Sequence, residues 1–264
     1  MKTWPLLIAL CPAIAWCAPL KITATDQGFE APASVAAGTR HVLFENHGKN
    51  IHEVMFVKLP AGMDAAGYLA RVNSGVLFPE GALDYSGPGL TSPGEGTEVW
   101  LKLDAGNYVL ICWHHSRTSV RALTVRATNE PDDVPPKADV VLKLLDFRFV
   151  LEGEVKKGPQ VIRVETPGPS MHESDIFRLL PGHTAADVKR WYAENDLEGP
   201  APAVALGGIL DSHSIANVVY IRKHFVPGQY VLQCAMPMTT DAKSGDEHVT
   251  HADAGMITTF EVKE

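Results

Sequence analysis

Between Gly228 and Met256 the chain reads GQYVLQCAMPMTTDAKSGDEHVTHADAGM. Its first residues, Tyr230-Val231-Leu232-Gln233-Cys234, are the aromatic and β-branched mix that suits a strand, and that strand ends in a thiol. A polar loop follows, then His251, then Met256 with four residues between them. A thiolate, an imidazole and a thioether from one loop are three of the four ligands of a type-1-like copper centre. The fourth is a His from a distant strand, and His172 in PSMHESDIF is the candidate.

The same pattern occurs earlier. Gly106-Asn107-Tyr108-Val109-Leu110-Ile111-Cys112 has the GxYVLxC spacing that ends at Cys234, and His52-Glu53 matches His172-Glu173. His and Cys are separated by 60 residues in the first copy (112 − 52) and 62 in the second (234 − 172). A repeat of this length outranks a local motif and predicts two copies of one β-domain.

The boundaries follow from composition. Met1–Ala18 has Lys2, an apolar run and small residues near its end, which reads as a secretory signal peptide of residues 1–18 rather than a membrane span. Lipid attachment at Cys17 is disfavoured because Trp16 stands where a small residue is needed. Residues 20–129 form the first domain, 130–137 a Pro- and acid-rich linker that is stiff and extended, and 138–264 the second domain. In the first domain, strands are expected at Leu20–Ala24, near Val35, at Thr39–Glu45, from His52, and at Val120–Arg126, with a short helix in Asp64–Val72. Val99–Leu103 and Tyr108–Cys112 read as a hairpin around Asp104–Asn107. In the second, Thr184 opens a capped helix before Val188–Tyr192. The fold class is therefore all-β: two tandem Greek-key β-sandwich domains, each with a short helical insertion.

Export reframes the cysteines. Cys11 and Cys17 fall in the signal region, leaving Cys112 and Cys234 at equivalent strand ends of different domains, where they are badly placed to form a disulfide. A formal net charge of −8, about −9 without Lys2, and no basic patch argue against nucleic acid as a partner. No membrane-integral segment is expected after signal cleavage, and the protein is placed in the periplasm or outside the cell.

FENHGKNIHEVMFVKLPAG, with its N-x-G-x-x-x-H segment, and GxYVLxC followed by His and Met resemble the cupredoxin superfamily. The likeness covers both repeats and is nearest to plastocyanin-like exported bacterial proteins. It implies copper ligation by His172, Cys234, His251 and Met256 in the second domain. In the first it reaches His52, Cys112 and His115, with Val120 in the axial place. One copper is expected and two is the upper bound. The departure is the sixteen residues between Cys234 and His251, longer than in small cupredoxins, which makes His251 a loosely tethered ligand. His248 competes with His251, His114 competes with His115, and Met236 and Met238 add soft donors.

The resemblance implies electron transfer or copper handling, with a redox protein or copper donor as partner. Nitrite-reductase-like and laccase-like proteins carry a His before the ligand Cys; Ile111 and Gln233 stand there instead, which speaks against an oxidase. No grouping suited to hydrolysis is identifiable. The alternative is a metal-free cupredoxin-like binding or scaffold module whose His and Cys are vestigial.

Overall fold

Alternation of apolar and polar residues builds the strands. Gly38–Asn46 buries Arg40, Val42, Phe44 and Asn46 and turns Thr39, His41, Leu43 and Glu45 outward. A computed structural model describes residues 18–76, 79–114, 120–195, 197–211, 218–238 and 249–264. Met1–Cys17, which hold nearly all of the expected signal peptide, lie outside the described residues, as do His115 and His248. No helix among the described residues is long and apolar enough to cross a membrane.

In the first half the elements are β1 Leu20–Thr25, β2 Gly28–Glu30, β3 Ser34–Ala36, β4 Gly38–Asn46, β5 Met55–Lys58, α1 Ala65–Asn73, β6 Leu83–Asp84, β7 Gly96–Leu103, β8 Gly106–Ile111 and β9 Arg121–Arg126. The second half contains β10 Val140–Leu145, β11 Arg148–Glu152, β12 Gly158–Glu165, β13 Ser174–Leu179, α2 Ala185–Asn195, β14 Ala203–Ile209, β15 Val218–Phe225, β16 Gly228–Gln233 and β17 Ile257–Val262. The chain is an all-β sandwich with two short helices among the described residues, and both begin as the sequence predicts. Asp64 caps α1 by accepting from the Gly67 N–H at 2.8 Å, and Thr184 shares reciprocal bonds with Asp187 at the start of α2.

Registers repeat between the halves. β1 runs parallel to β4 with Leu20 opposite Val42, and β10 runs parallel to β12 with Val140 opposite Ile162, each residue 120 further on. The strands fall into three sheets: β3-β9-β8-β5-β6, β14-β13-β16-β17, and an eight-stranded sheet β11-β10-β12-β15-β7-β4-β1-β2. That large sheet belongs to both halves. β7 and β15 join them antiparallel, with Glu98, Val99 and Trp100 opposite Arg222, Ile221 and Tyr220. Val99 and Ile221 each stand seven residues before the glycine that opens the next strand, Gly106 or Gly228, so the seam pairs equivalent residues about an approximate two-fold axis. Both side chains are fully buried in a core cluster that runs through both halves.

On the outer face, Trp100 is stacked on His41 at 4.2 Å and lies under the Arg222 guanidinium at 5.0 Å. Glu98 binds both, at 2.9 Å to His41 and 3.1 Å to Arg222, so one carboxylate ties the halves together. A second tie runs along residues 86–92, which exchange backbone bonds with β14 and the residue after it: Gly207 N–H to Leu90 O, Ser92 N–H to Ala205 O and Leu210 N–H to Gly87 O.

Two expectations need revision. β7 and β8 are not a hairpin: β7 lies in the eight-stranded sheet and β8 in the five-stranded one. The turn between them carries the chain from one layer to the other, and the Tyr108 hydroxyl pins it by donating to Asp104 O at 2.8 Å. Tyr230 does the same for the β15–β16 corner, donating to Val226 O at 2.7 Å while accepting from Val226 N–H at 3.1 Å. The strand expected from His52 also starts later, at Met55, and its counterpart from His172 starts at Ser174, so both His residues stand just ahead of their strands. Residues 130–137 hold no strand but are laid against β4. Thr39 N–H donates to Asp132, His41 N–H to Asp133, and Arg40 to Pro131 O.

Replacing a corner hydroxyl tests this construction. Tyr230→Phe strips Val226 of both bonds and is expected to lower unfolding free energy by about 1–3 kcal/mol, with Tyr108→Phe at the lower end of that range. Urea denaturation of the two variants beside wild type measures it; equal midpoints for all three would refute the corner's role.

Candidate metal centre

The ligand loop is built at the end of β16. Cys234 is fully buried, its N–H donates to Met256 O at 3.1 Å, and its O accepts from Ala252 N–H at 3.0 Å. Beyond it the chain forms a short antiparallel stem: His251 N–H donates to Met236 O and Met238 N–H to Val249 O, both at 2.8 Å, with Pro237 bridged to Thr250. Asp253 then caps the turn by accepting from the Thr250 N–H and hydroxyl, and Lys189 of α2 holds that carboxylate at 2.7 Å. His251 is therefore not loosely tethered, as the sixteen-residue spacing suggested. The stem fixes both ends of the loop, so the residues between them add little to the freedom of the ligand.

Three donor atoms converge. His172 Nδ1 and His251 Nδ1 are 3.0 Å apart, and Cys234 Sγ is 3.9 Å from the first and 3.5 Å from the second. All three side chains are buried, and they form the one such donor group among the described residues. The circle through those three atoms has a radius of about 2.0 Å, the distance at which imidazole binds a first-row metal ion. Met256, fully buried, shares the core cluster with Cys234 and Met236, whereas Met238 is largely exposed.

The β10–β11 turn supplies two residues that sequence reasoning passed over. Asp146 Oδ1 is 3.1 Å from His172 Nε2, so the ring carries its proton there and turns the Nδ1 lone pair toward Cys234 and His251. Phe147, in the left-handed region at φ 58°, sets its ring edge-on to His251 at 5.1 Å and to His172 at 6.3 Å. Asp146 stands 120 residues after Asp26, the same interval as between His52 and His172. That shared offset was the available signal.

The first half repeats part of the geometry. Cys112 Sγ is 3.7 Å from His52 Nδ1, and His52 Nε2 is 3.3 Å from Asp26 Oδ1. Gly48 makes room for this pair, since a Cβ there would lie 2.8 Å from His52 Nε2 and 2.6 Å from Asp26 Oδ1. Asn46 staples the same loop by donating to Asn50 O and Thr91 O and accepting from Gly48 N–H. His114 lies 3.9 Å from Glu53 and edge-on to Tyr192. Val120 packs against an apolar cluster and offers no thioether.

Glu53 and Glu173 hold the residues that follow the two thiols: Glu53 accepts from Trp113 N–H at 3.1 Å and Glu173 from Ala235 N–H at 2.7 Å. Burial, with repulsion from Glu53 added, lifts Glu173 to about 8. Burial also raises Asp175 and Asp211 well above the usual carboxylate range. The Cys234 thiol is pushed up by burial and then by Glu173, so a metal ion would displace its proton on binding. His251 moves the other way, from 6.5 to about 4, through burial and then the charge of His172.

No family model matches this chain, and no curated protein matches it. Among solved structures, auracyanin A, described as a blue copper protein from Chloroflexus aurantiacus, is similar at 21% identity and a TM-score of 0.30, over 41% of this chain and 100% of its own. A dithionite-reduced auracyanin from Roseiflexus castenholzii is similar at 20% identity and 0.28, over 40% and 94%. A copper nitrite reductase from Nitrosomonas europaea aligns at 14% identity and 0.24, over 94% of both chains. Identity and TM-score are low in each, and the reading of the site rests on its own distances.

The lowered His251 sets a pH dependence. As pH falls from 6.5 through about 4, the unfolded chain takes up a proton that folded His251 refuses, so stability is lost across that window and unaffected by this group above it. The fall is up to about 3 kcal/mol. Urea titrations from pH 7 to 4 should show it in wild type and a flatter profile in His251→Asn; parallel profiles would refute it.

Proposed function

We propose that this is an exported copper-binding protein of the cupredoxin kind, built from two tandem cupredoxin-like domains, whose second half holds a type-1-like copper used for electron transfer or copper handling. The observation that carries the reading is the buried triangle of His172 Nδ1, His251 Nδ1 and Cys234 Sγ. Its size fits a single metal ion, and a thiolate with two imidazoles is a donor set that suits copper. Bound there, copper would supply a one-electron couple.

The chain's own residues prepare that role. Asp146 fixes the tautomer and direction of His172. His251 stays neutral at pH 7 and keeps its lone pair. Glu173 donates its N–H toward Cys234 Sγ at 3.4 Å, an interaction that favours the thiolate. Phe147 packs edge-on against both imidazoles, and Met256 is the proposed weak axial donor. Ligands held by a hairpin stem, a strand end and a buried loop need to move little when an ion changes charge. In the first half, Val120 in the axial place and the partial His52–Cys112 geometry favour one copper per chain. His115 would complete any second site. A redox protein or a copper donor is the proposed partner.

Titrating the purified protein with Cu(II) and following visible absorption tests this. One equivalent is expected to produce strong colour, Cys234→Ser to abolish it, and Met256→Leu to keep it while shifting the reduction potential. Asp146→Ala is expected to weaken copper binding about 10- to 100-fold. If wild type binds no copper at micromolar concentration, or Cys234→Ser binds it equally well, the metal-free scaffold reading takes its place.

A further inference from the structure

Pairing between β7 and β15 stops after three residue pairs, at Glu98 opposite Arg222. Continuing that register would set Thr97 opposite Lys223 and Gly96 opposite His224, but the strands part there. Each stays paired on its far side: Thr97 and Gly96 with Phe44 and Glu45 of β4, Lys223 and His224 with Gln160 and Pro159 of β12. Their divergence therefore opens a cleft between the halves without fraying either one. The cleft has a volume of about 510 Å³ and takes its walls from both halves.

Its charges do not balance. Glu95, Glu98, Arg178, Arg222 and Lys223 line it, three cations against two carboxylates. Arg222 is engaged with Glu98 at 3.1 Å, and Lys223 with Glu95 at 3.1 Å and Gly96 O at 2.7 Å. Arg178, half-buried on β13, has no carboxylate within ion-pairing distance among the described residues. Thr97, which also lines the cleft, is 2% exposed, and its buried hydroxyl has no hydrogen-bond partner among the described residues. Buried polar groups are ordinarily satisfied, and a guanidinium presents paired N–H donors that match a carboxylate. The rest of the wall is the His224 imidazole, Gly96, and apolar or aromatic side chains from Leu43, Pro159, Leu206, Val226 and Tyr230.

We propose that this cleft binds a small organic monocarboxylate with an apolar body, its carboxylate on Arg178 and its body against Leu206, Val226 and Tyr230. One unmatched positive charge selects a monoanion. A phosphate dianion would exceed it and meet Glu95 and Glu98; an amine would meet Arg178; a neutral ligand would leave Arg178 uncompensated. Nothing in the proposal depends on copper.

Isothermal titration of the full chain with benzoate tests it, with benzamide as the uncharged isostere and inorganic phosphate as the small polar anion. Benzoate is expected to bind at one site per chain, and benzamide and phosphate at least tenfold more weakly. Arg178→Gln should weaken benzoate at least tenfold, and Cys234→Ser not at all. Should Arg178→Gln fail to fold, benzoate is expected to protect Arg178 of the wild-type protein from phenylglyoxal, read by peptide mass. Four results would overturn the proposal: no benzoate binding, benzamide or phosphate binding as tightly, unchanged affinity in folded Arg178→Gln, or no protection of Arg178.

Discussion

Three residue pairs between β7 and β15 decide the shape of this molecule. Without that ladder each half would expose an unpaired strand edge, an invitation to aggregation that β proteins avoid. With it, the two edges satisfy one another, and Val99 and Ile221 become the middle of one core rather than the rims of two. Glu98 reinforces the joint from outside by holding His41 and Arg222 against the two faces of Trp100. The candidate metal centre lies on the other layer, where β13 and β16 pair directly, so that its strand ends are braced by neighbours on both sides.

At the centre, a buried environment does opposite things to neighbouring groups. It keeps the His251 imidazole neutral and therefore able to bind, while it keeps the Cys234 thiol protonated and therefore a weak donor until a cation arrives. Both effects come from the same cost of charge in a low-dielectric interior. A cation entering the triangle relieves that cost for the sulfur. Asp146 supplies the counterpart, a partly exposed carboxylate whose own pKa is lowered, first by its bond to His172. Charge at the water-facing side of the ring thus directs a lone pair at the buried side.

Much of this was legible in the sequence. The His-Glu and GxYVLxC blocks recur at nearly equal spacing, the β1–β4 and β10–β12 registers repeat with them, and His172, Cys234 and His251 lie together. The failures have physical causes. A strand, a short turn and another strand read alike whether the chain doubles back or crosses between layers; only the tyrosine hydroxyl at the corner distinguishes them. Asp26 and Asp146 look like turn residues because they are turn residues, and their second role depends on His side chains 26 positions later. The hairpin stem beyond Cys234 is made of backbone bonds around Pro237, which no motif encodes. The seam was invisible because Val99 and Ile221 would look the same buried in one half or between two.

The seam also bears on how such a chain arises. Because Val99 faces its own equivalent, Ile221, the pairing is isologous: each side offers the other the same patch. Two identical single-half molecules could therefore meet through this edge as a symmetric dimer, with no second surface to be invented. Joining them in one chain would then require only a connecting segment, and the one present is laid along β4 from Pro131 to Asp133. At the corresponding place the two halves of the present chain differ, with Met256 in one and Val120 in the other.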